Sequence, residues 1–454
     1  MQPEDLEALK KFGSDAVSFQ SAKFGVRWWR DADARVAYVE TGRSWIAIGT
    51  PLASVESRPA AVQRFIQAAR ERGFRPVFFA VEDLEPFAGC RSLVLGQQSV
   101  LKVSEWDATL RRTPTLRKQV RRPVAKGVTV RQVDPSELAE GMPLRREVER
   151  LRGEWLACRP MEPMGFLVSV EPFHVPAEHL YFVAEHKGKA VQFLSAVPIY
   201  GRNGWLMEDM LRSAAAPNGT TELVIDAIMH KLSGAPYWLT PGLTPLAGGI
   251  PWWLEFTRRM MVPLYDFSGL RRFRSRLHPA SWRPIWMVWD RGPSVRVILD
   301  VLRAFASGHI VAFAWRSLTR HPNGLPWAVA VPLVAWTGLL AGLTIARNSA
   351  TLGFSVMGLA GWTVFDAVIA WLLFTGARKP RPRRLAAIGA AAAFDAILSV
   401  RHLSFVGLGG DLVSAVLRLV ATVGPVIGTA ALALAWWQAH VQYGPSRRKP
   451  AVIR

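Results

Sequence analysis

Residues able to do chemistry are densest between Trp205 and Ile225, in WLMEDMLRSAAAPNGTTELVI. The stretch opens as an apolar strand carrying two adjacent carboxylates, Glu208 and Asp209, with Arg212 three residues beyond Asp209. A turn follows, Pro217-Asn218-Gly219-Thr220-Thr221, and Glu222 then begins a helix whose apolar positions are Leu223, Ile225, Ala227 and Ile228. A carboxylate and a guanidinium at this spacing suit either a structural ion pair at a strand end or a pair that handles a proton and an anion. Asn218 and Gly219 suit a turn that aims backbone amides from a helix N-terminus at an anion, although Pro-Asn-Gly by itself signals only a turn. Glu222 lies where the helix dipole favours a carboxylate in any case.

These residues must be positioned by an α/β framework. Residues 14–104 read as three successive strands (VRWW, RVAYVE, SWIAIGT), a helix around Ala60 to Arg72 and a further strand, PVFFAVE. Residues 127–292 show a similar alternation, with strand VTVRQV, helix LRREVERLRGEWLACR, a hairpin turning at Lys187-Gly188-Lys189, the strand WLMEDML and its helix. Between them Arg111, Arg112, Arg117, Lys118, Arg121, Arg122 and Lys126 crowd one segment, with Leu110, Leu116 and Val120 as apolar anchors. Such a segment is either a solvated basic helix or a strip that tracks phosphates. A second basic and aromatic stretch, LYDFSGLRRFRSRLHPASWRPIW, runs from Leu264 to Trp286.

Two of these stretches resemble the catalytic domain of the phosphatidylglycerol lysyltransferases, the aminoacyl-tRNA-dependent part of the multiple peptide resistance factors. Asp209 and Arg212 stand at the family's aspartate-x-x-arginine, and Asn218, Gly219 and Glu222 at its asparagine-glycine-x-x-acidic motif, with glutamate where aspartate is common. Tyr265, Phe267, Gly269, Leu270, Arg271, Phe273, Pro279 and Trp282 are in register with its closing motif, and Arg274 and Arg276 fall where the family tends to have lysines. The resemblance spans roughly residues 14–290. It implies two tandem acetyltransferase-like (GNAT-like) α/β, or α+β, halves joined by a basic helix. It also implies transfer of an amino acid from a charged tRNA to a hydroxyl of phosphatidylglycerol.

On that resemblance Asp209 and Arg212 are the candidate catalytic residues, the carboxylate for the hydroxyl proton or an amino group, the guanidinium for a phosphate or oxyanion. Asn218, Gly219, Glu222, Arg271, Arg274 and Arg276 are the candidate substrate-binding residues, and Arg117, Lys118, Arg121 and Arg122 the candidate tRNA strip. The halves lack the Gly-x-Gly turn that cradles coenzyme A pyrophosphate, so no acyl-CoA or other cofactor is expected. The nine histidines read as scattered, without spacing for zinc or a nucleophilic triad, so no metal is expected either. Two rival readings are transfer to another acceptor, such as a peptidoglycan precursor or another lipid, and a silent module that binds RNA or anionic lipid.

A net charge of +21 over 454 residues points to a polyanionic partner, nucleic acid or an anionic membrane, and excludes neither. A hydrophobic content of 50% is high for so basic a chain and points to membrane-embedded segments. Cys90 and Cys158 form no metal-spaced cluster and read as thiols. MQPEDLEALKKF lacks the apolar core of a signal peptide. Spans are expected at 326–346, 351–376, 385–400 and 412–437, with Asp366, Asp395 and Arg418 inside them as a structural group. Ser294 to Leu318 reads as an amphipathic helix on the membrane surface. Arg378, Lys379, Arg381, Arg383 and Arg384, with Arg447, Arg448, Lys449 and Arg454, outnumber Arg347 and Arg401 in the opposite loops. The positive-inside rule then places the N-terminal region in the cytosol of a bacterial inner-membrane protein. The expected domains are 1–104, 105–126, 127–292, an interfacial segment 293–325, the spans within 326–438 and a basic tail 439–454.

Overall fold

The computed structural model describes residues 2–443 except 24, 160, 236, 261–266, 293, 321–323, 347–348, 377–381 and 409–411. Tyr265 of the closing motif, Arg347, Arg378, Lys379, Arg381 and the tail arginines therefore lie outside the described residues. The chain forms two compact units: residues 1–159, 163–260 and 266–310, and residues 160–162, 261–265 and 311–454.

The first unit runs α1 (Pro3–Phe12), β1 (Arg27–Arg30), β2 (Arg35–Thr41), β3 (Ser44–Ile48), α2 (Arg58–Glu71), β4 (Arg75–Val81), β5 (Arg91–Lys102), α3 (Trp106–Arg112) and α4 (Pro114–Val124). It continues with β6 (Val128–Val133), α5 (Pro143–Ala157), β7 (Leu180–His186), β8 (Lys189–Ile199), β9 (Gly204–Arg212), α6 (Thr220–Lys231), β10 (Trp238–Thr240) and β11 (Leu243–Pro245). The last elements are α7 (Trp252–Met260), α8 (Phe267–Ser275), β12 (Ser281–Trp289) and α9 (Ser294–Phe305).

The same topology occurs twice. β1, β2 and β3 pair antiparallel, α2 crosses over, and β4 returns parallel to β3. β7, β8 and β9 pair antiparallel, α6 crosses over, and β10 returns parallel to β9. The β7–β8 turn is tight because Lys187 and Gly188 both take positive φ, the backbone that a two-residue hairpin turn needs. Helices cover both faces. Val62 and Phe65 of α2 pack on Trp45 and Phe78, while Val297 and Val301 of α9 pack on Ile46 and Phe79 from the other side. In the second half Val224 and Ile228 of α6 pack on Leu194 and Met207, and Val148 and Leu151 of α5 pack on Tyr181 and Phe193. The expected tandem α/β arrangement is thus present.

One continuous sheet joins the halves in the order β1-β2-β3-β4-β12-β5-β10-β9-β8-β7-β6, with β11 attached to β5. β12, the last strand in the chain, lies antiparallel between β4 and β5 of the first half, and β5 pairs in turn with β10 of the second. A buried charge cluster reinforces the seam. Arg202 Nη1 lies 2.5 Å from Glu82 Oε2, the Ala16 amide donates to Glu82 Oε1 at 2.6 Å, and the Thr50 amide donates to Asp15 Oδ2 at 2.6 Å.

The basic segment is two helices, not one. Thr113 precedes Pro114 and is held out of the helical region at φ −119°, ψ 85°, so α3 stops and α4 restarts with proline at its first turn. Leu116 and Val120 are buried, as their apolar anchoring predicts. The span Ser294 to Leu318 likewise departs from a single amphipathic helix, with α9 ending at Phe305 and α10 (Ile310–Arg320) following. The break falls at Ser307 and Gly308, which take φ 50° and 90°, and α9 itself is held by Asp300, buried on Ser44, Arg75 and Arg303.

The second unit holds α10, α11 (Gly324–Ile345), α12 (Val356–Gly376), α13 (Pro382–Val406) and α14 (Leu412–Tyr443). α11 to α14 are each long and apolar enough to cross a membrane, as expected. The third is longer than its expected apolar core, at 25 residues, because the helix continues through Arg401 and His402. Asp366 and Asp395 line one cavity of about 630 Å³ together with His402 and Arg418.

Two stability changes are expected. Gly219 takes φ 95°, and a Cβ there would collide with the Gln119 carbonyl oxygen on α4. Gly219→Ala should cost about 1–3 kcal/mol, read as a lower midpoint in thermal unfolding followed by tryptophan fluorescence. Glu82→Ala leaves the Ala16 amide without its acceptor and Arg202 with only the more distant Asp15 carboxylate, and should cost about 3–5 kcal/mol. Glu82→Gln, which still accepts hydrogen bonds, should lose less in the same assay.

Candidate active site

The site grows from an irregularity in β9. Ser195 of β8 faces Asp209, but the next residue, Ala196, faces Met207, so Glu208 is an extra residue. Such a bulge breaks the alternation of side chains and re-aims them. Here it sends two neighbouring carboxylates into the interior.

Glu208 is enclosed by polar groups from distant parts of the chain. Lys23 Nζ lies 3.1 Å from its Oε1 and donates to the Ser169 and Leu167 carbonyls at 2.7 and 3.4 Å. His179 Nε2 and His174 Nε2 lie 3.5 and 3.8 Å from its Oε2. Burial alone would raise the Glu208 carboxyl, but Lys23 and the two imidazoles outweigh it and hold the group down at about 2. Burial also lowers the His174 imidazole below its ordinary value, against the pull of Glu208. The loop that carries the histidines is held in a costly shape, since Val175, a β-branched residue, takes φ 43°. Phe19 packs edge-on to His179, and Tyr181 stacks on its other side.

Asp209 is 6% exposed, and among the described residues its Oδ2 and the hydroxyl of Ser195 opposite it have no hydrogen-bond partner. Burial, and then the charge of Glu208, push this carboxyl up to about 7, with Lys23 and Arg152 pulling the other way. Arg212 is not its ion-pair partner, because three residues along the strand put the guanidinium on the opposite face. Arg212 instead donates to the Ala216 carbonyl at 2.7 Å and the Pro217 carbonyl at 3.4 Å, closing the turn before α6. Burial lowers its pKa, and the charge of Glu222 opposes that shift.

The turn is then locked from both sides. Asn218 is exposed and Glu222 half-buried, while Gly219 is covered by the α4 backbone at Gln119. The close approach that requires glycine therefore brings the basic helix against the loop joining Arg212 to α6. Lys118, Arg121 and Arg122 are exposed on α4, and Arg117 is partly buried with Nη1 on the Arg111 carbonyl. Among the described residues no carboxylate lies within 4.0 Å of any of the seven cations from Arg111 to Lys126.

The closing motif falls elsewhere on the unit. Arg271 stacks over Trp282 at 3.3 Å and donates to Gln97 Oε1 at 2.8 Å. Arg274 is buried and donates to the Gly242 carbonyl at 2.7 Å, to Thr244 Oγ1 at 2.6 Å and to the Pro241 carbonyl. It thus holds the turn between β10 and β11. Arg276 is exposed just beyond α8. The sequence reading missed the convergence of Lys23, His174, His179 and Glu208. The available signal was local: two histidines five residues apart in FHVPAEH, one of them close to the proline of a turn.

Residues 15–289 match the family profile described as "Phosphatidylglycerol lysyltransferase, C-terminal". A phosphatidylglycerol lysyltransferase of Bacillus subtilis (strain 168) is 23% identical over 316 residues, which is 65% of this chain and 36% of the relative. A lysylphosphatidylglycerol biosynthesis bifunctional protein of Rhodococcus opacus (strain B4) is 28% identical over 195 residues, 40% of this chain and 17% of the relative. The chain thus spans about a third or less of the length of these relatives. The solved structure of L-PGS from Bacillus licheniformis superposes with a TM-score of 0.58 at 22% identity, over 67% of this chain and 97% of that one. A C-terminal domain (DUF2156) from Agrobacterium fabrum gives 0.56 at 24% identity, over 67% and 98%. These likenesses carry the fold, and the profile match over more than half of the chain carries the membership: this protein belongs to the phosphatidylglycerol lysyltransferase C-terminal family.

Proposed function

We propose that the first unit transfers an aminoacyl group, lysyl in the first instance, from the ester of a charged tRNA to a hydroxyl of phosphatidylglycerol. In this reading the reaction takes place at the cytosolic face of the bacterial inner membrane. The observation that carries it is the seating of α4, whose cations have no carboxylate within 4.0 Å among the described residues, against the turn that follows Asp209 and Arg212. A strip of this kind neutralises nucleic-acid phosphates whatever the base sequence. The names of the relatives supply the lipid and the amino acid.

The donor ester is already activated, so the protein has to align two anionic substrates and move one proton. The lipid hydroxyl oxygen attacks the ester carbonyl carbon and gives its proton to Asp209. The tetrahedral intermediate collapses, the tRNA ribose oxygen leaves, and it takes that proton back. Arg212, on the opposite face at the end of the same strand, takes the lipid phosphate rather than the oxyanion. Asn218 and Glu222 border this space from the turn and the first helical turn of α6. Arg271 and Arg276 meet the tRNA acceptor end beside Trp282, and Gly219 and Arg274 keep the turns in place. Residues 105–126 form the tRNA strip, residues 127–292 carry the chemistry, and the spans of 326–438 with the basic tail 439–454 hold the unit at its lipid substrate.

In cells expressing the chain, mass spectrometry of extracted lipids should show phosphatidylglycerol carrying an amino-acid mass. Asp209→Asn should lower its formation at least about 100-fold, and Arg212→Ala should abolish it. A purified chain that binds tRNA in a salt-dependent way and forms no aminoacylated lipid would sink the reading in favour of the silent module. Replacing Lys118, Arg121 and Arg122 together by glutamine should raise the KM for charged tRNA. It should also flatten the salt dependence of tRNA binding by about two to three units of log K per log salt.

A further inference from the structure

The cluster beside Asp209 has a chemistry that the transfer reaction does not use. His174 Nδ1 lies 2.6 Å from the Glu171 carbonyl and His179 Nδ1 lies 3.1 Å from the Val175 carbonyl. A carbonyl oxygen only accepts, so each Nδ1 carries its proton, and each inward-turned Nε2 is the nitrogen left to bind a ligand. Among the described residues both Nε2 atoms and Glu208 Oε2 are buried without a hydrogen bond, Oε1 faces Lys23 Nζ at 3.1 Å, and the two rings and the carboxylate offer ligand atoms within 4.8 Å of one another. Two imidazole nitrogens and a carboxylate oxygen that converge in a buried pocket favour a cation among them, and Lys23 faces only the other carboxylate oxygen, Oε1.

We infer that His174, His179 and Glu208 bind a divalent ion of the zinc class, with both Nε2 atoms and Glu208 Oε2 as ligands. A tetrahedral ion with bonds of about 2.0–2.1 Å sets its ligand atoms roughly 3.3–3.4 Å apart. The separations to Oε2 are 3.5 and 3.8 Å, within a small side-chain adjustment of that value. The outer partners fit as well. Ligating histidines characteristically donate the other ring N–H to a carbonyl or carboxylate, as both do here. Lys23 occupies Oε1 and leaves Oε2 for the ion. Imidazole nitrogens with one carboxylate suit zinc better than calcium or magnesium, which prefer oxygen ligands throughout. The ion would tie the loop of residues 169–179 to the bulge of β9, and so fix the backbone from which Asp209 projects.

The test uses the full chain purified in detergent, stripped with a chelator and reloaded with Zn(II) or Co(II). About one ion per chain should remain after dialysis, and the Co(II) form should show the intense visible bands of four-coordination. His179→Ala and Glu208→Gln should lose the ion, whereas His230→Ala, at an exposed histidine on α6, should keep it. A wild-type chain that retains no ion, or retains one equally in the His174→Ala and His179→Ala variants, overturns the inference and leaves a proton-sharing imidazole–carboxylate group. Should those variants fail to fold, the wild-type Co(II) spectrum decides alone, and weak six-coordinate bands count against the site. Stoichiometry and spectrum are read without any lipid product, so this result and that of the transfer reaction are independent.

Discussion

The first unit depends on one exchange of strands. β12 pairs with β4 on one side and β5 on the other, and β5 then pairs with β10, so neither half has a complete sheet of its own. Pairing satisfies the row of backbone donors and acceptors that β4 and β5 would otherwise leave bare. The charges of Asp15, Glu82 and Arg202 can then be buried at the seam, because the joined sheet brings opposite signs and backbone amides together. Isolated from one another they would be costly, since a buried charge is tolerated only when it is paired and hydrogen-bonded.

On this frame the candidate site is an arrangement of exceptions. A bulge gives β9 two inward carboxylates where regular alternation would give one. A positive-φ glycine lets α4 reach the turn beyond Arg212. A strained valine turns two imidazoles onto Glu208. Local rules are broken at three places around one strand end, which is where natural sequences usually accept strain for the sake of function.

Much of this was legible in the sequence, for reasons of range. The hairpin at Lys187-Gly188, the helix after Asn218-Gly219, the apolar anchors of α4 and the four apolar spans depend on neighbours within one or two turns of chain, and they appear where periodicity puts them. What escaped depends on partners far along the chain. No local pattern says that β12 lies between β4 and β5. None says that Lys23 reaches Glu208, or that Arg274 turns inward to the carbonyls of Pro241 and Gly242. The separation of Asp209 from Arg212 follows from strand alternation and could have been foreseen from their spacing alone. The bulge at Glu208 could not, because it is defined only by the register against β8.

The position of β12 also bears on how the protein is made. It is the last strand of the unit to be synthesised, yet it occupies the middle of the sheet. Until residue 289 has emerged, the nascent chain holds β4 and β5 as open edges, and β4 is buried almost throughout in the finished fold. Folding of this unit therefore cannot run to completion from the N-terminus outward. The step that closes the sheet directly precedes synthesis of the apolar helices that begin at Gly324. The chain is most exposed to mispairing at its own edges in the interval before that step, while β4 and β5 wait for β12.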